Sequence, residues 1–274
     1  MAHVGYLGPE KTFAHLVATK RFGKSLKLVA LPTVGDVFDF VGKKSGRIGI
    51  VPIENSSGGT IYETVDCLVD EDCSACIVEE LSIRVNLALL GRANHPFKVV
   101  YSHFAPLYHC EKWLKHRYPK IELRKVASTA LAVQTAASEQ SAAALGTRQS
   151  AREYGLDILM YPVAPEIPNV TQFFAIGSSH KKNAISQKMS LVASLSNTPG
   201  SLFDFLEPFK LNKVNLTRIL SRPVIGHPNT YVFFVDINGT GEDESVKAAI
   251  AEAKCACKTL RCVGTYPIHR QFQS

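Results

Sequence analysis

Short apolar runs alternate with amphipathic stretches through the first two thirds of the chain. Residues 4–7, 47–53 and 173–176 form nearly uninterrupted apolar runs of strand length, which are typical of strands covered on both faces. Residues 34–41 and 105–118 instead repeat apolar positions at helical spacing. This alternation predicts an α/β fold with a mostly parallel sheet up to about residue 177.

The pattern changes after residues 178–188, a polar stretch without periodicity that we interpret as a linker. Beyond it, the predicted order is strand, helix, strand, strand, helix, strand, which is the ferredoxin-like arrangement. We therefore predict two domains, at residues 1–178 and 188–270. The first domain is expected to have two lobes, because residues 77–90 alternate as one long strand that could cross between them.

Polar residues lie at the ends of several predicted strands, where open α/β sheets bind their ligands. These segments are residues 8–12, 54–60, 102–103, 128–129 and 169–172. If they converge, they line one cleft. The alternative is that their hydroxyl and amide side chains, including Asn169 and Thr171, only cap turns and helices.

Charge and cysteine content narrow the possible functions. The net charge is +7, from 31 basic and 24 acidic residues, but the basic residues are scattered, so we predict no nucleic-acid surface. A mild positive field suits a small anionic substrate. Cys73 and Cys76 lack a second pair at zinc-site spacing, and we expect reduced thiols, a cytoplasmic location and no membrane span.

The first domain contains the motifs Gly8-Pro9-Glu10-x-Thr12-Phe13, Pro52-Ile53-Glu54-Asn55-Ser56-x-x-Gly59, Ser128-Thr129-Ala130, Tyr154-Gly155-Leu156 and Asn169-x-Thr171-x-Phe173. Together with motifs in the second domain, they resemble one family, the prephenate dehydratases, over nearly the whole chain. The second domain resembles an ACT regulatory domain, through Pro199-Gly200-Ser201-Leu202, Asn215-Leu216-Thr217, Ser221-Arg222-Pro223 and Gly264-Thr265-Tyr266-Pro267. The resemblance implies a two-lobed, periplasmic-binding-protein-like α/β catalytic domain followed by an α+β ferredoxin-like ACT domain.

The resemblance also implies an activity: prephenate loses water and carbon dioxide to give phenylpyruvate in L-phenylalanine biosynthesis, without a metal or organic cofactor. Thr171 corresponds to the family's catalytic threonine. The resemblance implies that Glu54, Asn55, Ser56 and Ser128 line the substrate. The full set that we predict to contact substrate is Lys11, Thr12, Glu54, Asn55, Ser56, Gly59, Ser128, Thr129, Asn169, Gln172 and Phe173. Those implied to bind phenylalanine, the allosteric ligand, are Pro199, Gly200, Ser201, Leu202, Leu220, Ser221, Arg222 and Pro223. A paired ACT domain implies a homodimer or homotetramer.

Three positions depart from the family pattern. Gln172 stands where the family has Arg, Lys11 where it has Gly, and Leu220 where it has Glu. One hypothesis is that Lys11 supplies the positive charge that Gln172 lacks; the alternative is a solvated loop lysine. Leu220 leads us to expect weakened phenylalanine binding. The alternative functions are an arogenate dehydratase, a decarboxylase that does not aromatise its substrate, and a non-catalytic amino-acid sensor.

Overall fold

The computed structural model describes residues 3–23, 25–179, 186–224 and 226–274. Most of the predicted linker therefore lies outside the described residues. Up to residue 84 the elements are β1 (His3–Leu7), α1 (Phe13–Phe22), β2 (Lys27–Leu31), α2 (Val34–Gly42), β3 (Ile48–Asn55), β4 (Gly59–Thr60), α3 (Tyr62–Val69) and β5 (Cys76–Arg84). Up to residue 160 they are β6 (Ala88–Gly91), β7 (Val99–Ser102), α4 (Phe104–Arg117), β8 (Glu122–Lys125), α5 (Thr129–Ser138), β9 (Ala142–Gly146), α6 (Arg148–Tyr154) and β10 (Asp157–Met160). The rest are β11 (Val170–Gly177), β12 (Lys188–Ser194), α7 (Ser201–Leu211), β13 (Leu216–Pro223), β14 (Tyr231–Asn238), α8 (Glu244–Cys255), β15 (Thr259–Tyr266) and β16 (Phe272–Gln273).

The chain divides into two compact units. The first contains Met1–Ile53, Ile61–Ser82 and Gln172–Phe272, and the second contains Glu54–Thr60, Ile83–Thr171 and Gln273–Ser274. The predicted domain boundaries, 1–178 and 188–270, stay a prediction, because this division groups residues by their contacts and not by their order in sequence.

The sheet centred in the first unit has the strand order β13-β14-β12-β15-β5-β11-β3-β1-β2. Strand β1 pairs in parallel with β2 and with β3, as the strand–helix alternation predicts. The ferredoxin-like strands join this sheet where β15 pairs with β5, through Gly264 and Ile77. A side chain on Gly264 would approach the carbonyl oxygen of Ile77 to 2.6 Å, so the close approach requires glycine.

The predicted βαββαβ order is confirmed between residues 188 and 266. One face of its antiparallel sheet packs against α7 and α8, through a core that includes Leu191, Phe205 and Ala249. The opposite face contributes Val192, Phe234 and Tyr266 to a second core with residues of β3, β11 and α2. The sheet is therefore covered on both sides, and β11 lies against its second face.

The second unit contains a five-stranded sheet in the order β10-β6-β9-β7-β8. Strand β7 is parallel to β8 and β9, whereas β6 is antiparallel to β9 and β10, so the sheet is mixed instead of mostly parallel. The prediction of one strand over residues 77–90 was wrong, because β5 ends at Arg84 and β6 begins at Ala88. In the gap, the Val85 N–H donates to the carbonyl of Asn169, and the Leu87 carbonyl accepts from Val163.

Over the described ranges, no helix is long and apolar enough to cross a membrane. All seven cysteines are free thiols.

Candidate active site

Asn55, the last residue of β3, lies at the centre of a hydrogen-bonded cluster within the second unit. Its Oδ1 accepts from the backbone N–H of Ser57 at 2.9 Å and of Gly58 at 2.7 Å. Its Nδ2 donates to Oδ1 of Asn169 at 2.9 Å and to Oγ1 of Thr171 at 2.8 Å. Because backbone N–H groups can only donate, the two bonds to Oδ1 fix which way the amide faces. The amide nitrogen must therefore point at Thr171.

This orientation determines what the Thr171 hydroxyl can do. Thr171 is 9% exposed, and its oxygen accepts the bond from Asn55. The hydrogen bonds found among the described residues include no acceptor for the Thr171 hydroxyl proton. A hydroxyl that is held by an accepted bond and keeps its own proton is a hydrogen-bond donor to a ligand.

Ser56 holds the segment before Thr171 in place. Its hydroxyl donates to the carbonyl of Pro168 at 3.1 Å and accepts from the N–H of Val170 at 3.0 Å. The Ser56 N–H also donates to the carbonyl of Val170 at 2.9 Å. With these three bonds, Ser56 fixes the start of β11 against the end of β3, and its hydroxyl is already engaged as donor and acceptor.

The loop after Asn55 returns through a short antiparallel bridge. Glu54 pairs with Thr60, and Asn55 pairs with Gly59. Gly59 has a φ of 81°, in the left-handed region that glycine adopts without a steric cost. The bridge thus gives Gly59 a structural reason to be glycine, independent of any ligand.

One residue beside this cluster, His109, was missed by the sequence analysis. The Ser57 hydroxyl lies 2.7 Å from Nδ1 of His109, which is 7% exposed on α4. Burial lowers the pKa of His109, and the negative charge of Glu166 opposes that shift in part. A signal for His109 was available in the sequence: it precedes Cys110, and helical periodicity places this position on the buried face of α4.

The hydroxyl pair predicted at residues 128 and 129 begins a helix, as expected. Ser128 is the N-cap of α5, and its Oγ accepts from the Leu131 N–H at 3.1 Å. Thr129 is the first residue of the helix. The capping role of Ser128 is confirmed, and contact of either residue with substrate stays a prediction.

Lys11 and Thr12 lie in the first unit, at the start of α1. The Thr12 hydroxyl donates to the carbonyl of Leu7 at 3.1 Å and accepts from the His15 N–H at 3.2 Å, which caps the helix. Lys11 has a φ of 70°, and its N–H donates to Nδ1 of His15 at 2.8 Å. A left-handed backbone at Lys11 accounts for the family's preference for Gly at this position.

Gln172 and Phe173 follow Thr171 on β11, within the first unit. The Phe173 ring is 2% exposed and forms part of the core. The Gln172 Oε1 accepts from Nη2 of Arg218 at 2.6 Å. The positive charge next to Gln172 is therefore supplied by Arg218 of the ferredoxin-like domain, a residue that the sequence analysis did not single out.

The two segments predicted to bind phenylalanine are placed differently. Ser201 and Leu202 line a pocket of about 150 Å³, directly after Pro199 and Gly200. The remaining lining residues are Leu195, Ser196, Asn197, Thr198, Asn229, Tyr231 and Phe233.

Leu220, Ser221, Arg222 and Pro223 lie on β13 and do not line this pocket. Arg222 instead forms an ion pair with Asp66 of α3, including an Nη2–Oδ2 contact of 2.8 Å. Leu220 packs against the core that contains Phe174 and Phe234.

Across the part of the chain that the structure describes, no group of three or more histidine, cysteine, aspartate or glutamate side chains is arranged to hold a metal ion. The candidate site consists of amide, hydroxyl and imidazole groups. Such a set can orient a ligand, donate hydrogen bonds and handle a proton.

Comparison with known proteins gives two family matches in the order that the sequence motifs indicate. Residues 4–181 match the family model described as "Prephenate dehydratase". Residues 189–255 match the model described as "ACT domain".

Individual relatives agree with these matches. A bifunctional chorismate mutase/prephenate dehydratase of Stutzerimonas stutzeri is 35% identical over 266 residues, covering 96% of this chain and 73% of the relative. The crystal structure of the prephenate dehydratase from Staphylococcus aureus subsp. aureus Mu50 is similar with a TM-score of 0.81 and 26% identity, over 96% of this chain and 99% of that one. The structure of an Arthrobacter aurescens prephenate dehydratase in complex with L-Phe has a TM-score of 0.81 and 24% identity, covering 97% and 90% of the two chains.

Proposed function

The chain belongs to the prephenate dehydratase family and carries an ACT domain, and we propose that it converts prephenate to phenylpyruvate for L-phenylalanine biosynthesis. The observation that supports the proposal most directly is the hydrogen bond from Asn55 to Thr171, which leaves the Thr171 proton available to a bound ligand. Asn55, Asn169 and Thr171 form this arrangement within one compact unit.

The proposed reaction is a decarboxylating elimination. The bond between the ring and its carboxylate breaks, carbon dioxide leaves, and the electron pair forms the last double bond of the aromatic ring. The bond between the ring and its hydroxyl breaks at the opposite carbon. One proton is taken up, so that the hydroxyl leaves as water.

Because aromatisation drives the reaction, the protein's task is to hold the dianion, assist the leaving hydroxyl and exclude water. The Thr171 hydroxyl is suited to assist, since it can donate to the leaving oxygen as negative charge develops there. Asn55 supports this role by donating to the Thr171 oxygen, which makes the hydroxyl proton more acidic. Ser128 and Thr129, which lie in the same unit as Thr171, are proposed contacts for the substrate carboxylates.

A turnover assay tests the proposal. Purified protein is mixed with prephenate, and phenylpyruvate is followed by its absorbance. Thr171→Val, which keeps the side-chain shape and removes the hydroxyl, should lower kcat by about 10²–10³-fold, the usual cost of one transition-state donor. Thr171→Ser, which keeps the hydroxyl, is the matched control and should retain far more activity.

The other outcomes identify the alternatives. Turnover of arogenate and not prephenate would make the chain an arogenate dehydratase, and a decarboxylated product without the aromatic ring would indicate a decarboxylase. Tight ligand binding without any product would support an amino-acid sensor.

Regulation and assembly are part of the proposal. We expect L-phenylalanine, the ligand of the Arthrobacter aurescens structure, to bind at the ACT domain and to inhibit turnover. Polar groups of Ser196, Asn197 and Ser201 beside the Phe233 ring give the pocket the mixed character that an amino acid requires. Leu220 in place of Glu should weaken binding without abolishing it, and calorimetry measures this. The proposed homodimer or homotetramer is tested by light scattering, with and without phenylalanine.

A further inference from the structure

A buried polar network lies directly behind the strand that carries Thr171. At its centre is Asp236 on β14, which is completely buried. Its carboxylate contacts Nη1 of Arg218 on the neighbouring strand β13, and it accepts from the Ser190 hydroxyl at 2.5 Å. The same hydroxyl lies 2.7 Å from the Tyr266 hydroxyl. Asp236 anchors Arg218, because moving the two charges apart would break an ion pair that is buried in the core.

Arg218 uses its other end to contact β11. Nη2 donates to Gln172, and the guanidinium carbon lies 5.5 Å from the centre of the Phe174 ring. Residues 172 and 174 share one face of the strand, since side chains alternate. Arg218 therefore contacts this face at two points, and the nearer point is the residue next to Thr171.

The planar guanidinium is suited to this task. Its nitrogens point in fixed directions, so a group anchored at Nη1 has a defined Nη2 position. The Arg218 side chain is 8% exposed, which leaves it little freedom to rearrange. The position of the Gln172 side chain is consequently tied to β13 and β14 of the ACT domain.

We infer that Arg218 is a positioning residue for catalysis: anchored by Asp236, it holds β11 at Gln172 and so fixes the placement of Thr171. The inference rests on the proposed function, because it assigns Arg218 to support the proposed catalytic threonine. The connection from Gln172 to Thr171 is the covalent chain itself, and a displacement on the order of 1 Å at a reacting group can cost about 10²-fold in rate.

Two variants break the contact from opposite sides while keeping Asp236 paired. Gln172→Met has similar length and no acceptor for Nη2. Arg218→Lys keeps a positive charge for Asp236, but one ammonium cannot reproduce the two separately directed bonds. Each is expected to lower kcat for phenylpyruvate formation roughly tenfold with little change in KM, and the double variant should be no worse than either single one.

A Thr171→Val background separates positioning from general stability. If Arg218 acts through Thr171, adding Gln172→Met to Thr171→Val should leave the residual rate unchanged. If it only stabilises the fold, Gln172→Met should lower the rate by the same factor in both backgrounds, and this result would overturn the inference. If the wild-type enzyme turns over prephenate and Gln172→Met has the same kcat, the inference about Arg218 is overturned and the proposed function is not. If the wild type shows no turnover, the proposed function is overturned as well.

Discussion

Replacing Asn55 by Asp changes one atom of the candidate site and reverses the hydrogen bond to Thr171. One carboxylate oxygen can still accept from the backbone N–H groups of Ser57 and Gly58, so the loop should keep its conformation. The other oxygen takes the place of Nδ2, 2.8 Å from the Thr171 hydroxyl, and can only accept. Thr171 must then donate its proton to residue 55 and no longer to the substrate.

The expected loss follows from the bond that must be broken. A hydrogen bond to a charged group is worth about 1.5–3 kcal/mol, and Thr171 has to give it up before it can assist the leaving hydroxyl. This corresponds to a decrease in kcat of about 10- to 150-fold. The assay is initial-rate phenylpyruvate formation, with circular dichroism and thermal unfolding to show that the variant is folded.

Asn169→Asp is the matched control, since it adds the same charge at the neighbouring side chain. It keeps an acceptor for the Asn55 amide and leaves the bond from Asn55 to Thr171 intact. Both variants should raise KM, because a new negative charge repels a dianionic substrate. Only Asn55→Asp should lower kcat strongly, and adding Thr171→Val to it should have little further effect. Equal kcat in the two Asp variants would refute the assigned role of Asn55.

Three further perturbations test other parts of the structure. Burial lowers the pKa of His109, so its ring stays neutral to a lower pH than the ring of a free histidine. The stability that depends on the neutral ring is therefore lost as the pH falls below about 6.5. His109→Asn, which can still bond to Ser57, should remove this acid-side loss of stability and of kcat/KM in pH profiles. Lys11→Gly should relieve the strain of a left-handed backbone conformation, which should raise the free energy of unfolding in denaturant by up to about 1 kcal/mol and leave turnover unchanged. A fall in turnover would favour the hypothesis that the Lys11 charge compensates for Gln172. Ser201→Trp should fill the pocket of about 150 Å³ and abolish inhibition by phenylalanine, while the rate without phenylalanine stays the same.

Local patterns were sufficient to predict most of the fold. Apolar runs located β1, β3 and β11, and the change of pattern after residue 188 predicted the βαββαβ order that the structure has. Prediction failed where residues distant in sequence decide the conformation. Residues 85–87 continue an alternating pattern, yet they leave the strand because Val85 bonds to the carbonyl of Asn169 and the Leu87 carbonyl accepts from Val163.

Residue type likewise indicated a candidate site without indicating what each of its members does. Ser56 and Thr171 both carry hydroxyls and were both predicted as site residues, but the two hydroxyls have different hydrogen-bond partners. The Ser56 hydroxyl donates to Pro168 and accepts from Val170, so it is a structural element of the loop. Thr171 accepts from Asn55, which is 116 residues away in sequence, and it keeps its proton. The direction of a hydrogen bond, which no local motif records, is what distinguishes a proposed proton donor from a residue that only holds it in place.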